Sequence, residues 1–457
     1  MTKAKVALVL ALILLAPIAA AAADDARTAA AGIRKVLGKR LTLYTDLSGR
    51  DVDELPAVFE QALPQWCAYF GVKQSDHADW HMTGFLMKDK ARFAQAGLLP
   101  GDLPPFLHGY SRGQLLWLYE QPSEYYRRHL LLHEGTHGFM LTILGSAGPP
   151  WYMEGLAELM GTHRWRDGRL TLGTMPRDRD EVPEWGRIRI IQNAVAERRA
   201  LRLKTVIEFP PSAHRETEPY AWCWAAATLL DRHPRYQQRF RQLCRYVRDH
   251  DFNQRFYKLF ESDWQPLCEE WQLMVANMEY GYDVVRSAVD FTPGKPLERA
   301  AAATIAADRG WQNSGLRLEG GRKYRLTASG RYQVAREPQD SLLGRELYSR
   351  PSRQLGGGST TAAPTADTKE AKIWWCEPGG VTIRYYQGRP LGILLAAVRP
   401  DQPVAGSTSA LLKPTAIGLG ATFSPPESGT LFLKINDSAG ELDDNAGELK
   451  VEVRPST

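Results

Sequence analysis

Alternation of apolar and polar positions predicts strands in the first third of the chain. The segments that alternate are residues 40–48, 81–89 and 113–121. Apolar positions recur at helical spacing over 51–72, over 124–144 and 150–163, and almost everywhere from 187 to 285. This order predicts an α+β domain over 24–285, in which a mixed sheet precedes a helical subdomain.

The pattern changes near residue 290, after which short strand-like runs alternate with turn residues. These runs are 323–335, 379–388, 391–398, 430–436 and 448–453. They predict an all-β sandwich over 299–457, joined to the first domain by a linker over 286–298. Residues 353–372 are rich in Gly, Ser, Thr and Ala, which predicts a mobile loop inside the sandwich.

An aromatic cluster lies within the predicted sandwich. Its members are Trp374, Trp375, Tyr385 and Tyr386. Such a cluster either offers a stacking platform to a ligand or fills the core. Core packing is the preferred interpretation, because aromatic residues on strands more often pack inside a sandwich.

Composition narrows the classes of function. The 457-residue chain is 44% hydrophobic and 24% charged, and its net charge of +5 is spread without a long basic run. We therefore expect a globular protein with no nucleic-acid partner. The five cysteines show no CxxC spacing, which argues against a thiolate zinc site, and their pairing stays open.

The first residues have the pattern of a targeting segment. Lys3 and Lys5 precede an apolar run over 6–23 that ends in small residues. This predicts a signal peptide over 1–23 and a secreted or periplasmic protein. An uncleaved membrane anchor is the weaker alternative, and no later stretch is apolar and long enough to span a bilayer.

The motif HEGTH at 133–137 carries the first candidate chemistry. It lies in a helical pattern, which places His133 and His137 one turn apart on one face. Two imidazoles at this spacing can bind one tetrahedral zinc ion, and Glu134 then lies beside the metal, where it can deprotonate a bound water.

A second motif, PPWYMEGLAEL at 149–159, supplies carboxylates. Its prolines suit the start of a helix, and Glu154 and Glu158 are four residues apart on one face. Sixteen residues separate His137 from Glu154, which is enough for a turn and a second helix. We expect Glu154 to be the third zinc ligand and Glu158 to accept the free N–H of a ligand histidine.

The two motifs together resemble the gluzincin metallopeptidases, the clan of thermolysin and the zinc aminopeptidases. The resemblance implies a zincin-like domain that hydrolyses peptide bonds of a protein or peptide substrate. It implies His133, His137 and Glu154 as zinc ligands, with Glu134 as general base. The segment 218–234 resembles the helix of aminopeptidase-type members, where Tyr220 would stabilise the oxyanion; the GxMEN-type exopeptidase signature is not visible.

Other histidines are assigned no ligand role. His129, one turn before His133, is expected either to contact a ligand or to lie in solvent. His163 and His214 are expected to be incidental, with His214 a weaker alternative as donor to the oxyanion.

The acidic segment NDSAGELDDNAG at 436–447 carries the second candidate chemistry. Oxygen-bearing side chains packed into one turn suit a hard cation such as calcium, although a solvated acidic hairpin would have the same pattern. With the strands before it, the segment resembles the calcium-dependent galactophilic lectins of bacteria. The resemblance implies calcium bound by Asp437, Asp444 and Asn445 side chains and by the carbonyls of Glu441 and a residue near Val334, and it implies galactose-type glycans as partners.

Two functions of different classes follow. The first is a secreted zinc metallopeptidase with a carbohydrate-binding-like module. The alternative is an exported carbohydrate-binding protein whose peptidase-like part is a non-catalytic scaffold. The presence of Glu134, three ligands and Glu158 together favours the enzyme, since a scaffold would be free to lose Glu134.

Overall fold

The computed structural model describes residues 25–337 and 371–456. The predicted signal peptide over 1–23 and nearly all of the predicted loop at 353–372 lie outside these residues. Within them, no helix combines the length and the apolar character that crossing a membrane requires. The described chain is a mixed α and β protein with several sheets, and none of the sheets described closes into a barrel.

A five-stranded mixed sheet forms the first part of the chain. Its strands are β1 (Arg34–Leu37), β2 (Leu41–Thr45), β3 (Met82–Met87), β4 (Gly109–Arg112) and β5 (Leu115–Tyr119). The order is β1-β2-β3-β5-β4, with β2, β3 and β5 parallel and the two outer strands antiparallel to their neighbours. The three strands predicted here are confirmed. The short outer strands β1 and β4 were not predicted, and β4 is the edge strand that borders the site described below.

Helices dominate from residue 124 to 287. The helices of the first part are α1 (Asp25–Ala30), α2 (Arg50–Asp53), α3 (Leu55–Phe70), α4 (Lys90–Gln95), α5 (Glu124–Phe139), α6 (Pro150–Gly161), α7 (Arg187–Ala196), α8 (Leu203–Ile207), α9 (Glu218–Arg232), α10 (Gln237–Gln242), α11 (Phe252–Leu259), α12 (Trp264–Ala276) and α13 (Val284–Ser287). The predicted helices at 51–72, 124–144 and 150–163 are present, with the second continuing as a π-helical turn over Met140–Leu144. A small hairpin, β6 (His163–Arg166) and β7 (Arg169–Leu172), follows α6.

Local signals explain why the two helices of the site begin where they do. Ser123 caps α5, since its hydroxyl accepts the backbone N–H of Tyr126. Helix α6 begins at Pro150, whose missing N–H costs nothing in the first turn. Helices α3, α5, α6 and α9 then share one core. Its largest fully buried members are Trp66, Trp151, Trp185, Trp222, Trp224 and Trp271.

The C-terminal part consists of two larger sheets and two two-stranded sheets. Its strands are β8 (Lys295–Pro296), β9 (Ala301–Ala306), β10 (Gln312–Leu318), β11 (Tyr324–Ser329), β12 (Tyr332–Glu337), β13 (Lys372–Cys376), β14 (Val381–Tyr386), β15 (Arg389–Leu391), β16 (Leu394–Pro400), β17 (Thr415–Ala416), β18 (Gly420–Phe423), β19 (Gly429–Ile435) and β20 (Glu448–Pro455). One sheet has the order β17-β16-β19-β10-β8 and the other β18-β11-β20-β9. Both contribute side chains to one hydrophobic cluster, as the layers of a sandwich do.

The expectation that the aromatic cluster fills this core is wrong for two of its members. Trp375 is 48% exposed and Tyr385 is 65% exposed. The reason is that both lie in the two-stranded sheets β12–β13 and β14–β15, outside the two larger sheets. Trp374 and Tyr386 are partly buried against the shared cluster.

The segment predicted as a linker, 286–298, packs against both parts of the chain. The backbone N–H of Val289 donates to the buried carboxylate of Glu270 at 2.8 Å, and the Phe291 ring lies 6.0 Å from that of Phe432. Strand β8 joins the larger C-terminal sheet beside β10. The pairing of the five cysteines was left open by the sequence. All five are free thiols in the structure, and no disulfide bond joins any two of them.

Candidate metal centre

The two histidines of HEGTH lie on one face of α5, as their spacing predicts. His133 and His137 are both buried, and their Nε2 atoms are 3.1 Å apart. The Nδ1 atom of His133 lies 3.4 Å from a carboxylate oxygen of Glu158. A proton on Nδ1 suits that contact, so the lone pair of Nε2 is directed toward His137 and the space beside it.

Glu154 of α6 completes a triad of donor atoms. Its Oε2 lies 3.2 Å from Nε2 of His133 and 3.3 Å from Nε2 of His137. This oxygen is buried and accepts no hydrogen bond from any described residue. A tetrahedral zinc ion bound at about 2.0–2.1 Å from each ligand needs donor atoms about 3.3 Å apart, and the triad has this spacing. The donor set of two imidazoles and one carboxylate therefore fits zinc.

The electrostatics of the triad favour a cation. Burial alone would lower the pKa of His133, yet the carboxylates of Glu154 and Glu158 raise it well above its usual value. Burial alone would raise the pKa of Glu154, but the two histidines lower it. The carboxylates of Glu154 and Glu158 therefore favour positive charge beside His133, which is the sign of charge that a zinc ion supplies.

Glu134 lies beside the triad and is buried by the edge strand β4. Its carboxylate faces Gly109 and Ser111 of that strand. Burial raises the pKa of Glu134, while His137 and His133 lower it, and burial prevails. A carboxylate with a raised pKa is a stronger base than one in water, so the environment suits proton transfer.

Glu158 is the most constrained carboxylate of the site. Arg187, the first residue of α7, donates to both of its oxygens, from Nη2 at 2.9 Å and from Nε at 3.0 Å. The indole N–H of Trp185 donates to Oε2 at 3.3 Å. Glu158 therefore lies next to His133 as predicted, and the hydrogen bonds from Arg187 and Trp185 fix the position of its carboxylate.

His129 is buried, which excludes the alternative that it lies in solvent. Of the two roles expected for His129, contact with residues of the site is the one that remains. Its Nε2 is 3.5 Å from Oε2 of Glu158, and its ring stacks on Tyr126. His129, His133 and Glu158 form a second cluster of potential donors. It suits a metal less well than the first triad, because the oxygens of Glu158 already accept three N–H donors.

Tyr220 borders the same cleft from the first turn of α9. Its ring centroid is 6.0 Å from that of His133. Burial raises the pKa of its hydroxyl, and the nearby carboxylates of Glu154 and Glu134 raise it further, so the hydroxyl keeps its proton. The cleft has a volume of about 610 Å³, and residues 105–111 are among those that line it.

His163 takes no part in the triad. His163 is buried, stacks on Tyr125 at 4.7 Å and bonds to the carbonyl of Gly161 through Nδ1 at 2.8 Å. Burial lowers its pKa to about 3, so it is a neutral core histidine. The side chain of His214 lies outside the described part of the chain, and its predicted role stays a prediction.

The acidic loop brings together the side chains predicted to bind calcium. Asn445 donates to Oδ2 of Asp437 at 2.8 Å, and both residues are buried. Oδ1 of Asn445 and Oδ1 of Asp444 are buried and have no hydrogen-bond partner among the described residues. Burial raises the pKa of Asp437 to about 8. Unpartnered oxygens beside a buried carboxylate fit a hard cation. The Glu441 side chain is exposed, and the role of its carbonyl stays a prediction.

The tip of this loop docks on the helical part. The backbone N–H of Asp283 donates to the carbonyl of Ala439 at 2.9 Å. Gly440 donates to the Glu279 carboxylate at 3.3 Å, and Arg177 pairs with Asp443 at 2.8 Å. The loop therefore joins the two parts of the chain, a position that its sequence did not indicate.

Sequence reasoning missed Arg187, Gly109 and Ser111. Arg187 lies about thirty residues beyond the Glu158 that it binds, in a segment with no motif. Gly109 and Ser111 belong to a four-residue edge strand whose pattern, GYSR, has no clear alternation. Only the tertiary contacts reveal that these residues border the site.

Comparisons with known proteins identify no family. No family model matches the chain, and neither does any curated protein. A solved structure described as "EclA N-terminal domain; PllA-like lectin" is similar to 35% of this chain over 99% of its own length, at 20% identity and a TM-score of 0.20. IMPa from Pseudomonas aeruginosa in complex with an O-glycopeptide aligns with 93% of this chain at 12% identity and a TM-score of 0.15, and the chain spans 47% of that protein. These likenesses are weak, and neither assigns the chain to a family.

Proposed function

We propose that the chain is a zinc metallopeptidase. The observation that carries the proposal is the triad of buried donor atoms, His133 Nε2, His137 Nε2 and Glu154 Oε2, which lie 3.1–3.3 Å from one another. Three protein ligands leave one coordination position for water or substrate, which is the arrangement of catalytic zinc sites. The mixed sheet followed by helices supports a zincin-like, gluzincin-type architecture.

The residues of the cleft have distinct tasks. Zinc, held by the triad, would polarise the substrate carbonyl and lower the pKa of a bound water. Glu134 would serve as the general base, because its buried carboxylate beside the triad is placed to accept a proton from an attacking water and to return it to the leaving nitrogen. The Tyr220 hydroxyl, which stays protonated, would donate to the oxyanion. Glu158 holds the Nδ1 proton of His133 and so keeps Nε2 free to bind.

The substitution Glu134→Gln tests the enzymatic proposal. It preserves shape and ligand set but removes the base, so zinc content should stay at the wild-type value while hydrolysis of a casein or peptide-library substrate falls by at least about 100-fold. Glu124→Gln, on the exposed end of the same helix, is the matched control and should leave activity unchanged. Wild-type hydrolysis by Glu134→Gln would refute the assigned mechanism, and zinc binding without any hydrolysis by the wild type would favour the non-catalytic scaffold.

The acidic loop supports a second proposal, that the C-terminal part binds calcium. The specific observation is the pair of unpartnered buried oxygens, on Asp444 and Asn445, beside the buried Asp437 carboxylate. Asp437, Asp444 and Asn445 would hold the ion by side chain and Glu441 by its carbonyl. Binding of galactose-type glycans at this ion is part of the same proposal, and a glycan array probed with and without calcium tests it. Secretion or export, expected from the first 23 residues, also remains a proposal.

A further inference from the structure

We infer that Arg187 is a positioning residue of the zinc site, acting through Glu158 on the orientation of His133. This inference rests on the proposed function. It assigns a role to a residue of α7 that belongs to neither sequence motif. The role is to fix the carboxylate that in turn fixes a metal ligand.

The Arg187 guanidinium contacts three residues of the site: Glu158, Trp185 and Tyr126. Its guanidinium binds both Glu158 oxygens, at 2.9 and 3.0 Å, and also donates to the carbonyl of Trp185 at 3.2 Å. Nη2 approaches the Tyr126 hydroxyl at 3.5 Å. A bidentate pair of this kind fixes the plane as well as the position of the carboxylate. Glu158 has therefore little freedom to turn away from Nδ1 of His133, 3.4 Å away.

The charge of Arg187 also balances the site. Glu134, Glu154 and Glu158 are three buried carboxylates around one cleft. A bound zinc ion would offset two of these negative charges, and Arg187 offsets the third. Arg187 is the one arginine or lysine among the described residues that line the cleft. Since an unpaired buried charge is strongly unfavourable, removal of Arg187 forces Glu158 to rearrange or to change its partners.

The same guanidinium also faces Tyr220. Its central carbon lies 5.8 Å from the centroid of the Tyr220 ring, within the range of a cation–π contact. Arg187 therefore contacts both Glu158, behind a metal ligand, and the tyrosine that borders the cleft. The main route of its effect is the bidentate pair, which is shorter and more directional than the ring contact.

A double-mutant cycle on zinc affinity tests the inference in the full-length protein. Zinc dissociation constants are measured by competition with a chromophoric chelator for Arg187→Met, for Glu158→Gln and for the double variant. Arg187→Met should weaken zinc binding by roughly 10- to 100-fold, the usual effect of removing a residue that orients a ligand. In the Glu158→Gln background the same substitution should change affinity by less than about threefold, because the two residues act in series.

Two further variants keep the test decisive. Arg187→Lys retains the positive charge but loses the bidentate geometry of the guanidinium. It should therefore weaken zinc binding, and its effect should again be smaller in the Glu158→Gln background. This variant preserves the test if Arg187→Met does not fold. Arg189→Met removes an exposed arginine of the same helix and should leave zinc affinity unchanged. A folded Arg187→Met protein with wild-type affinity, or an undiminished effect in the Glu158→Gln background, would overturn the inference. Failure of the wild type itself to bind zinc would instead overturn the proposed function.

Discussion

Gly109 of β4 lies directly against Glu134 of α5: a β-carbon at position 109 would be 2.7 Å from Oε1 of Glu134 and 2.9 Å from its Cγ. No side chain larger than hydrogen fits there without moving the carboxylate. The edge strand therefore determines where the proposed general base stands, and it does so through its backbone.

Gly109→Ala should lower kcat/KM by about 100-fold while zinc stays bound, because a shift of about 1 Å in a reacting group can cost that much. Steady-state kinetics together with metal content of the purified variant provide the measurement. Gly101→Ala, where an added β-carbon meets no atom within 4 Å, is the control. Full activity in Gly109→Ala would show that Glu134 does not depend on this contact.

Much of the fold and of the triad could be predicted from the sequence, because both depend on local periodicity. Helical spacing alone places His133 beside His137. The sixteen residues between His137 and Glu154 leave room for a turn and a second helix, which brings Glu154 near the two histidines. The edge strand β4 and Arg187 could not be predicted, since a four-residue strand carries little periodic signal and the Arg187–Glu158 pair joins residues from different helices. The exposed positions of Trp375 and Tyr385 depend on which strands pair outside the two larger sheets, and the alternation of apolar and polar residues does not reveal this pairing.

Calcium should raise the melting temperature of the full-length protein through the acidic loop. A ligand that binds only the folded state stabilises it by about 2.7 kcal/mol at a hundredfold excess over its Kd. Asp437→Ala should abolish the shift, whereas Asp401→Ala, an exposed acidic residue of the same part, should keep it. Identical melting curves of the wild type with calcium and with chelator would mean that the loop binds no calcium.

Without calcium, the free energy of unfolding should decrease as pH rises from about 4 toward about 8, through the contribution of Asp437. Burial raises the pKa of Asp437 to about 8 in the folded chain, so the folded state retains a proton that the unfolded state has lost. Chemical unfolding across this pH range, compared between wild type and Asp437→Asn, isolates the contribution. A wild-type slope equal to that of the variant would exclude it.

The two parts of the chain should depend on each other for stability. Arg399 of β16 pairs with Glu269 of α12 at 2.8 Å, and the Glu269 side chain is 2% exposed. Arg399→Ala should lower the free energy of unfolding by about 3–5 kcal/mol, because it leaves a buried charge without its partner. Arg317→Ala breaks a more exposed pair and should cost at most about 1 kcal/mol. Equal costs for the two variants in urea unfolding would argue against a coupled interface.

The metal content of the purified full-length protein tests the central claim most directly. Elemental analysis after purification without chelators should give one zinc per chain for the wild type and for Glu134→Gln. It should give much less than one for His137→Ala and Glu154→Ala, which remove donor atoms of the triad. A wild type without stoichiometric zinc after incubation with the ion, or unchanged zinc in both ligand variants, would contradict the account.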